Sequence, residues 1–273
     1  MNKFKGTFYV ILALTIILTM GSVAQSQDIP FAIDNMPNVV GISGGIAPDY
    51  WGSDDSVGVG APFFRWTFEG QERYLQLLAT ELSLNVLDNQ NFQLGPVLSY
   101  RFGRDDDVDD VVVKNMEEID DTVDLGIFAA YVWRDANPRH RLIVSGEVLF
   151  DVGDVYNGWM AAAGARYWYP VNKPIDVMIG LGATYGNSQF MDTYFGVSSP
   201  DAVRTGLTRF DTDSGFRDVN IPVAVVFHYS INWHIGVGAK YYILVNDASD
   251  SPITDDRGSD GQLIAGLGVA YSW

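Results

Sequence analysis

The feature that most constrains this chain is a period-two alternation that recurs along most of its length, with apolar stripes on one face and ionisable residues on the other. Phe92, Leu94, Pro96, Leu98, Tyr100 and Phe102 form one stripe, and Val123, Leu125, Ile127, Ala129, Tyr131 and Trp133 the next. Similar stripes start at Leu142, Trp159, Ile175, Val219 and Ile235. Side chains alternate across a strand, so each stripe is one face of a β-strand, about as long as a tilted strand needs to cross a bilayer. The opposite face carries Arg101, Asp124, Glu147, Arg166, Asp176, His228 and Lys240. A dry sandwich core does not accept that many charges, because an unpaired buried charge costs several kcal/mol. A barrel lumen does, with the apolar stripes turned to lipid. Arg101, Glu147, Arg166 and Lys240 are therefore expected to point inward and to pair across neighbouring strands.

The last stretch, Leu263 to Trp273, repeats the pattern with small residues on its second face and ends on an aromatic, as the closing strand of an outer-membrane barrel does. At the other end, Lys3 and Lys5 precede an apolar run from Phe8 to Met20 and a small-x-small site at Ser22 to Ala24. These are the parts of a secretory signal peptide over residues 1–24, followed by a periplasmic segment over 25–37 and a barrel over 38–273. No later apolar run has the length of a spanning helix, so membrane residence falls to strands. The chain has no cysteine, which excludes a disulfide scaffold, a thiol nucleophile and a thiolate-bound metal. Of 17 Lys and Arg, removal of the two signal lysines leaves 15 against 34 Asp and Glu, a net charge of −19. Such a field does not favour nucleic acid.

Connections alternate between tight and long. Arg134 to Arg139, Val171 to Pro174 and Ser230 to Trp233 are short; Gly103 to Asp121, Ser188 to Arg217 and Asp247 to Ser259 are long. Short turns belong to the periplasmic side and long loops to the exterior. The exterior rim is then acidic, while Arg134, Arg139, Arg141 and Lys173 make a basic periplasmic rim suited to a partner. Eleven strand segments are legible, but termini on one side require an even number. Between Tyr74 and Leu87 the apolar phase slips by one residue, a bulge or a break into two strands. The expected fold is all-β, a single antiparallel transmembrane barrel of twelve strands, with ten as the alternative.

Pro48-Asp49-Tyr50-Trp51-Gly52-Ser53, Leu94-Gly95-Pro96 with Tyr100 to Arg104, Asp192-Thr193-Tyr194-Phe195-Gly196-Val197, and Asp247 to Ile253 with the closing Gly266-Leu267-Gly268 resemble, in order, motifs of the MipA/OmpV family of outer-membrane proteins. The resemblance runs from about Gly41 to Trp273. It implies location in the outer membrane of Gram-negative bacteria, among lipid and lipopolysaccharide, after insertion by the barrel assembly machinery. It also implies a scaffold linking a murein transglycosylase to a murein synthase in the cell envelope, with a narrow small-solute pore or a surface adhesin as the alternative. The family supplies no catalytic residues.

The residues themselves give no enzyme. Gly41-Ile42-Ser43-Gly44-Gly45 fits a nucleophile-elbow pattern but lies in a strand with no helix after it. No Ser or Asp pairs with a His at matching strand ends, and His140, His228 and His234 lack metal-ligand spacing. Asp105, Asp106, Asp107, Asp109 and Asp110 read as a solvated loop rather than a calcium loop. No catalytic, metal or cofactor site is expected. Asp192, Tyr194, Phe195 and Gly196 stand as an external binding motif, or as aromatics folded over the barrel mouth.

Overall fold

The computed structural model describes residues 38–273, so the signal peptide and the 25–37 segment lie outside the described residues. Twelve antiparallel strands close into one barrel in which each strand pairs with its neighbours in sequence and β1 pairs with β12. They are β1 (Asn38–Pro48), β2 (Ser56–Thr67), β3 (Tyr74–Leu78), β4 (Glu81–Asn85), β5 (Phe92–Arg101) and β6 (Thr122–Arg134), followed by β7 (Arg141–Asp151), β8 (Trp159–Asn172), β9 (Ile175–Gly186), β10 (Gly215–His228), β11 (Trp233–Leu244) and β12 (Gly261–Ser272). The phase slip is a break: Leu77 faces Leu82 and Leu78 faces Glu81 across a hairpin that turns at Ala79 and Thr80. Ala79 takes φ +52°, a left-handed conformation that costs a non-glycine residue about 1–2 kcal/mol. The break turns one of the eleven legible segments into two strands and brings the count to twelve.

The seam between β1 and β12 runs from Val39 opposite Ser272 to Ile46 opposite Ala265. Glycine permits it, since a Cβ on Gly45 would run into the carbonyl oxygen of Ala265. Outward faces carry exposed Val40, Ile42, Leu125, Ile127, Ile179, Leu181, Val237 and Leu267, an apolar belt for lipid. Two aromatic girdles bound it. Trp66, Trp133, Tyr167, Trp233 and Tyr271 lie near the end that holds Asn38 and Trp273, and Tyr100, Phe150, Trp159, Tyr185 and Phe216 near the other. Cross-strand ring contacts order them, with Trp159 and Tyr185 stacked at 5.8 Å between centroids and Trp233 and Tyr271 edge-to-face at 5.2 Å.

The long connections are not structureless. Ser188–Phe195 forms α1, Ser199–Thr205 α2, Asp247–Asp250 α3 and Pro252–Asp255 α4. Asn187 caps α1 by accepting from the Phe190 amide, and Ser198 caps α2 by accepting from the Asp201 amide. Gly206 ends α2 at φ +79°. These helices are only four to eight residues long and bury faces set by tertiary packing, so their period is too short to stand out in sequence.

Candidate functional site

The lumen is stratified. At the external mouth, α1 packs Phe190, Met191, Tyr194 and Phe195 against Trp51, Tyr156, Met160 and Tyr242. The motif residues Tyr194 and Phe195 are thus buried beneath the loops, with Ser251 Oγ donating to the Phe195 carbonyl at 2.6 Å. Asp192 accepts from the Thr212 amide at 3.4 Å and, through its carbonyl, from the Gly196 amide at 2.9 Å. Two buried ion pairs brace this plug. Arg101 Nη2 meets Asp124 Oδ2 at 2.6 Å, and Tyr156 donates to the other Asp124 oxygen at 2.7 Å. Arg217 meets Asp218 at 2.7 Å and stacks 3.9 Å from the Trp51 ring centroid. Ring faces and charge-assisted hydrogen bonds replace the water these groups lose.

Beneath the plug lies a chamber of about 270 Å³ lined by Glu147, Arg166 and Lys240 among others. Register sets Glu147 opposite Ala162 and Arg166 opposite Ile143, so these two are not direct cross-strand partners. Arg166 reaches Ser145 Oγ at 3.5 Å, and the Lys240 ammonium lies 4.8 Å from the Tyr242 ring centroid.

Towards the periplasm the lumen is lined by a second apolar cluster, in which Phe63 from β2 and Trp168 from β8 belong with Val39, Val132, Ile143, Met178 and Val226. Below it, at the periplasmic mouth, Arg139 clasps Asp176 at 2.6 Å, Arg141 is buried with its guanidinium 5.6 Å from the Trp168 ring, and Arg134 and Lys173 are exposed.

The mouth also corrects the reading of the histidines. Ser272 Oγ lies 2.8 Å from His234 Nε2, the two histidine Nδ1 atoms lie 2.7 Å apart, and His228 Nε2 lies 2.9 Å from Asp176. A serine and an aspartate are therefore paired with histidines at strand ends. The pairing escaped notice because Asp176, His228, His234 and Ser272 stand on four different strands that only barrel closure aligns. The chain of bonds ties β9, β10, β11 and β12 together at the rim. Ser43 has no such setting; it lies inside β1 and its hydroxyl is spent on the Ala61 carbonyl at 3.1 Å.

Outside, the acidic loops hold one another. Asp110 pairs with Arg257 at 2.6 Å, and Asp109 donates its amide to Asp49 at 2.9 Å. Burial raises the Asp110 carboxyl, but the Arg257 guanidinium and the amides of Val113 and Val112 outweigh it and hold it below the usual carboxylate range. Burial likewise raises Asp201, and the Ser198 hydroxyl, Arg204 and the Glu117 amide pull it below that range. In Asp49 burial outweighs the hydrogen bond from the Asp109 amide, and the neighbouring charges of Asp109, Asp55 and Asp105 add to the rise. Among the described residues no three His, Asp or Glu side chains converge as metal ligands.

A closed barrel of twelve antiparallel strands with a lipid belt, paired aromatic girdles and mid-strand charges turned to the interior is an outer-membrane β-barrel protein. Residues 40–273 match the family model described as MltA-interacting protein MipA, and the chain belongs to that family. It is 25% identical over 152 residues to the protein described as outer membrane protein YiaT of Escherichia coli K12, a match covering 55% of this chain and 57% of the relative. Among solved structures it is similar to the COG4313 outer membrane channel from Pseudomonas putida F1, with TM-score 0.44 and 12% identity over 91% of this chain and 98% of that one. It is also similar to the outer membrane channel DcaP of Acinetobacter baumannii, with TM-score 0.38 and 8% identity over 88% of this chain and 96% of the other.

Proposed function

We propose that this protein is a non-enzymatic platform of the outer membrane, whose periplasmic rim docks a murein transglycosylase and a murein synthase of the cell envelope. The observation that carries the reading is the filled lumen, with the α1 plug above the chamber and an apolar cluster that includes Phe63 and Trp168 on its periplasmic side. A barrel filled in this way leaves its rims for function. The family description supports a murein-enzyme partner, and the exposed Arg73, Arg134 and Lys173 at the periplasmic turns suit an acidic patch or anionic murein. Charge of that kind speeds encounter and orients docking more than it adds affinity. Arg141 belongs to the interior and Arg139 to the Asp176 clasp, so neither is the exposed contact.

The test is crosslinking in intact envelopes, with charge reversal at Arg134 and Lys173. Captured murein enzymes should fall several-fold while the amount of heat-modifiable barrel stays constant. Unchanged capture, together with a stable large conductance in planar bilayers, favours the pore instead. An ester- or peptide-hydrolysing activity that Ser272→Ala abolishes would refute the non-enzymatic part.

A further inference from the structure

The barrel wall is incomplete beside the central chamber. The β3–β4 hairpin has strands of only five residues, between neighbours of twelve and ten. β2 pairs with β1 over its whole length, from Trp66 opposite Asn38 to Ser56 opposite Pro48. On its other side it pairs with β3 only from Phe63 to Thr67, with one further bond from the Ala79 amide to the Pro62 carbonyl. Ser56 to Ala61 therefore have no strand partner on that edge. Across the gap, β5 meets the hairpin tip through the Tyr100 amide and the Thr80 carbonyl, then continues upward beside β6 to the bridge between Arg104 and Ile119. Overhead, the loop after β5 is fastened to the β1–β2 loop by the Asp109 amide on Asp49 and to the loop before β12 by Asp110 on Arg257. The gap is thus framed on all four sides, with the hairpin tip as its sill.

The frame and the chamber share residues. Leu78 and Glu81 from the hairpin, and Phe102 just past β5, line the chamber. On the outer side the frame presents Leu98 and Tyr100, both exposed, opposite Gly58 and Gly60. A Cβ at Gly58 would meet nothing within 4 Å. Tyr100 belongs to the external girdle, which sets the gap at the outer-leaflet interface. That level is physically necessary, because an open strand edge in hydrocarbon would leave amides unsatisfied at several kcal/mol each, whereas head groups and water satisfy them.

We infer that this gap is a lateral portal, through which small amphiphiles pass from the outer leaflet into the chamber. The apolar frame passes a hydrocarbon chain, and the chamber beyond offers Glu81, Glu147, Arg166 and Lys240 to a charged head. At about 270 Å³ the chamber holds the equivalent of about nine waters, so its ligand is a small amphiphile and not a whole lipid.

The chain has no cysteine, so a single Ser83→Cys places one thiol in the chamber wall. The folded variant is reconstituted in vesicles and treated either with pyrene maleimide carried in the lipid or with a water-soluble sulfonated thiosulfonate. The lipid-borne reagent should react at least ten-fold faster. Gly60→Trp at the frame should slow it about ten-fold, while Ala239→Trp on the lipid face of β11 leaves it unchanged. Octanoate or octylamine should protect the thiol. Equal rates for the two reagents, an unchanged rate in Gly60→Trp, or protection by neither amphiphile overturns the inference. Heat-modifiable mobility identifies folded protein, and Gly58→Trp replaces Gly60→Trp should the latter not fold.

Discussion

If two apolar layers close the lumen in series, breaching one should not open it. Trp168 is 1% exposed and is the largest side chain of the periplasmic-side cluster. Trp168→Ala removes the indole that stands beside Met178 and Arg141, at a cost of about 3–5 kcal/mol in lost burial and residual cavity. The ladders flanking β8 remain, running from Arg141 opposite Trp168 to Phe150 opposite Trp159 on one side and from Met160 opposite Gly186 on the other. The barrel should therefore still form. In planar bilayers this variant should stay silent, because Phe190, Tyr194 and Trp51 still close the external mouth. Phe190→Ala with Tyr194→Ala should be silent for the mirror-image reason. The triple variant should conduct in steady steps. The coupling is the diagnostic, since resistances in series are governed by whichever seal remains. Steady conductance in Trp168→Ala alone, equal to that of the triple variant, would show that the α1 plug is no seal and would remove the main support for a platform over a pore.

Asp124→Asn should be more damaging than its size suggests. It leaves Arg101, 3% exposed, without its carboxylate partner, and breaking a buried pair costs about 3–5 kcal/mol, read as a lowered midpoint in urea unfolding into lipid vesicles. The external loops should loosen in acid while the barrel persists. Asp110 and Asp201 both have carboxyls held below the usual range when folded, so their stabilisation is complete above the unfolded value of about 3.9 and is lost as pH falls through the folded values. Proteolysis within Gly103 to Asp121 should rise below about pH 4, and Arg257→Gln should move the onset to higher pH; loops as resistant at pH 3 as at pH 7 would contradict this. Deleting Tyr271 to Trp273 removes Ser272 from its bond to His234 and Tyr271 from its edge-to-face contact with Trp233, and should leave little heat-modifiable protein in the outer membrane.

How much of this was legible in the sequence follows from which interactions are local. A strand that faces lipid on one side and lumen on the other writes its orientation in every second residue, so the inward direction of Arg101 and Lys240 could be read from parity alone. Even the β3–β4 hairpin left a mark, because a turn at Ala79 and Thr80 shifts the apolar phase by one. The arrangements across the lumen leave no such mark. Phe63 and Trp168 are more than a hundred positions apart and share one cluster only because the sheet closes into a barrel, with five strands between them on either side. The same holds for the Ser272, His234, His228 and Asp176 chain, in which each residue is unremarkable on its own strand. The plug escaped for another reason. Within Ser188 to Phe195 the aromatics are as consistent with a binding loop as with a lid, and what decides is that Arg101 and Asp124 lie beneath them, an ion pair that requires a ring-lined cover. The wall gap is subtler still: the sequence shows a short hairpin, but only the register of β2 against β3 shows that Ser56 to Ala61 face an opening rather than a strand. Periodicity therefore settles the wall and the membrane, while closure geometry settles what the barrel holds.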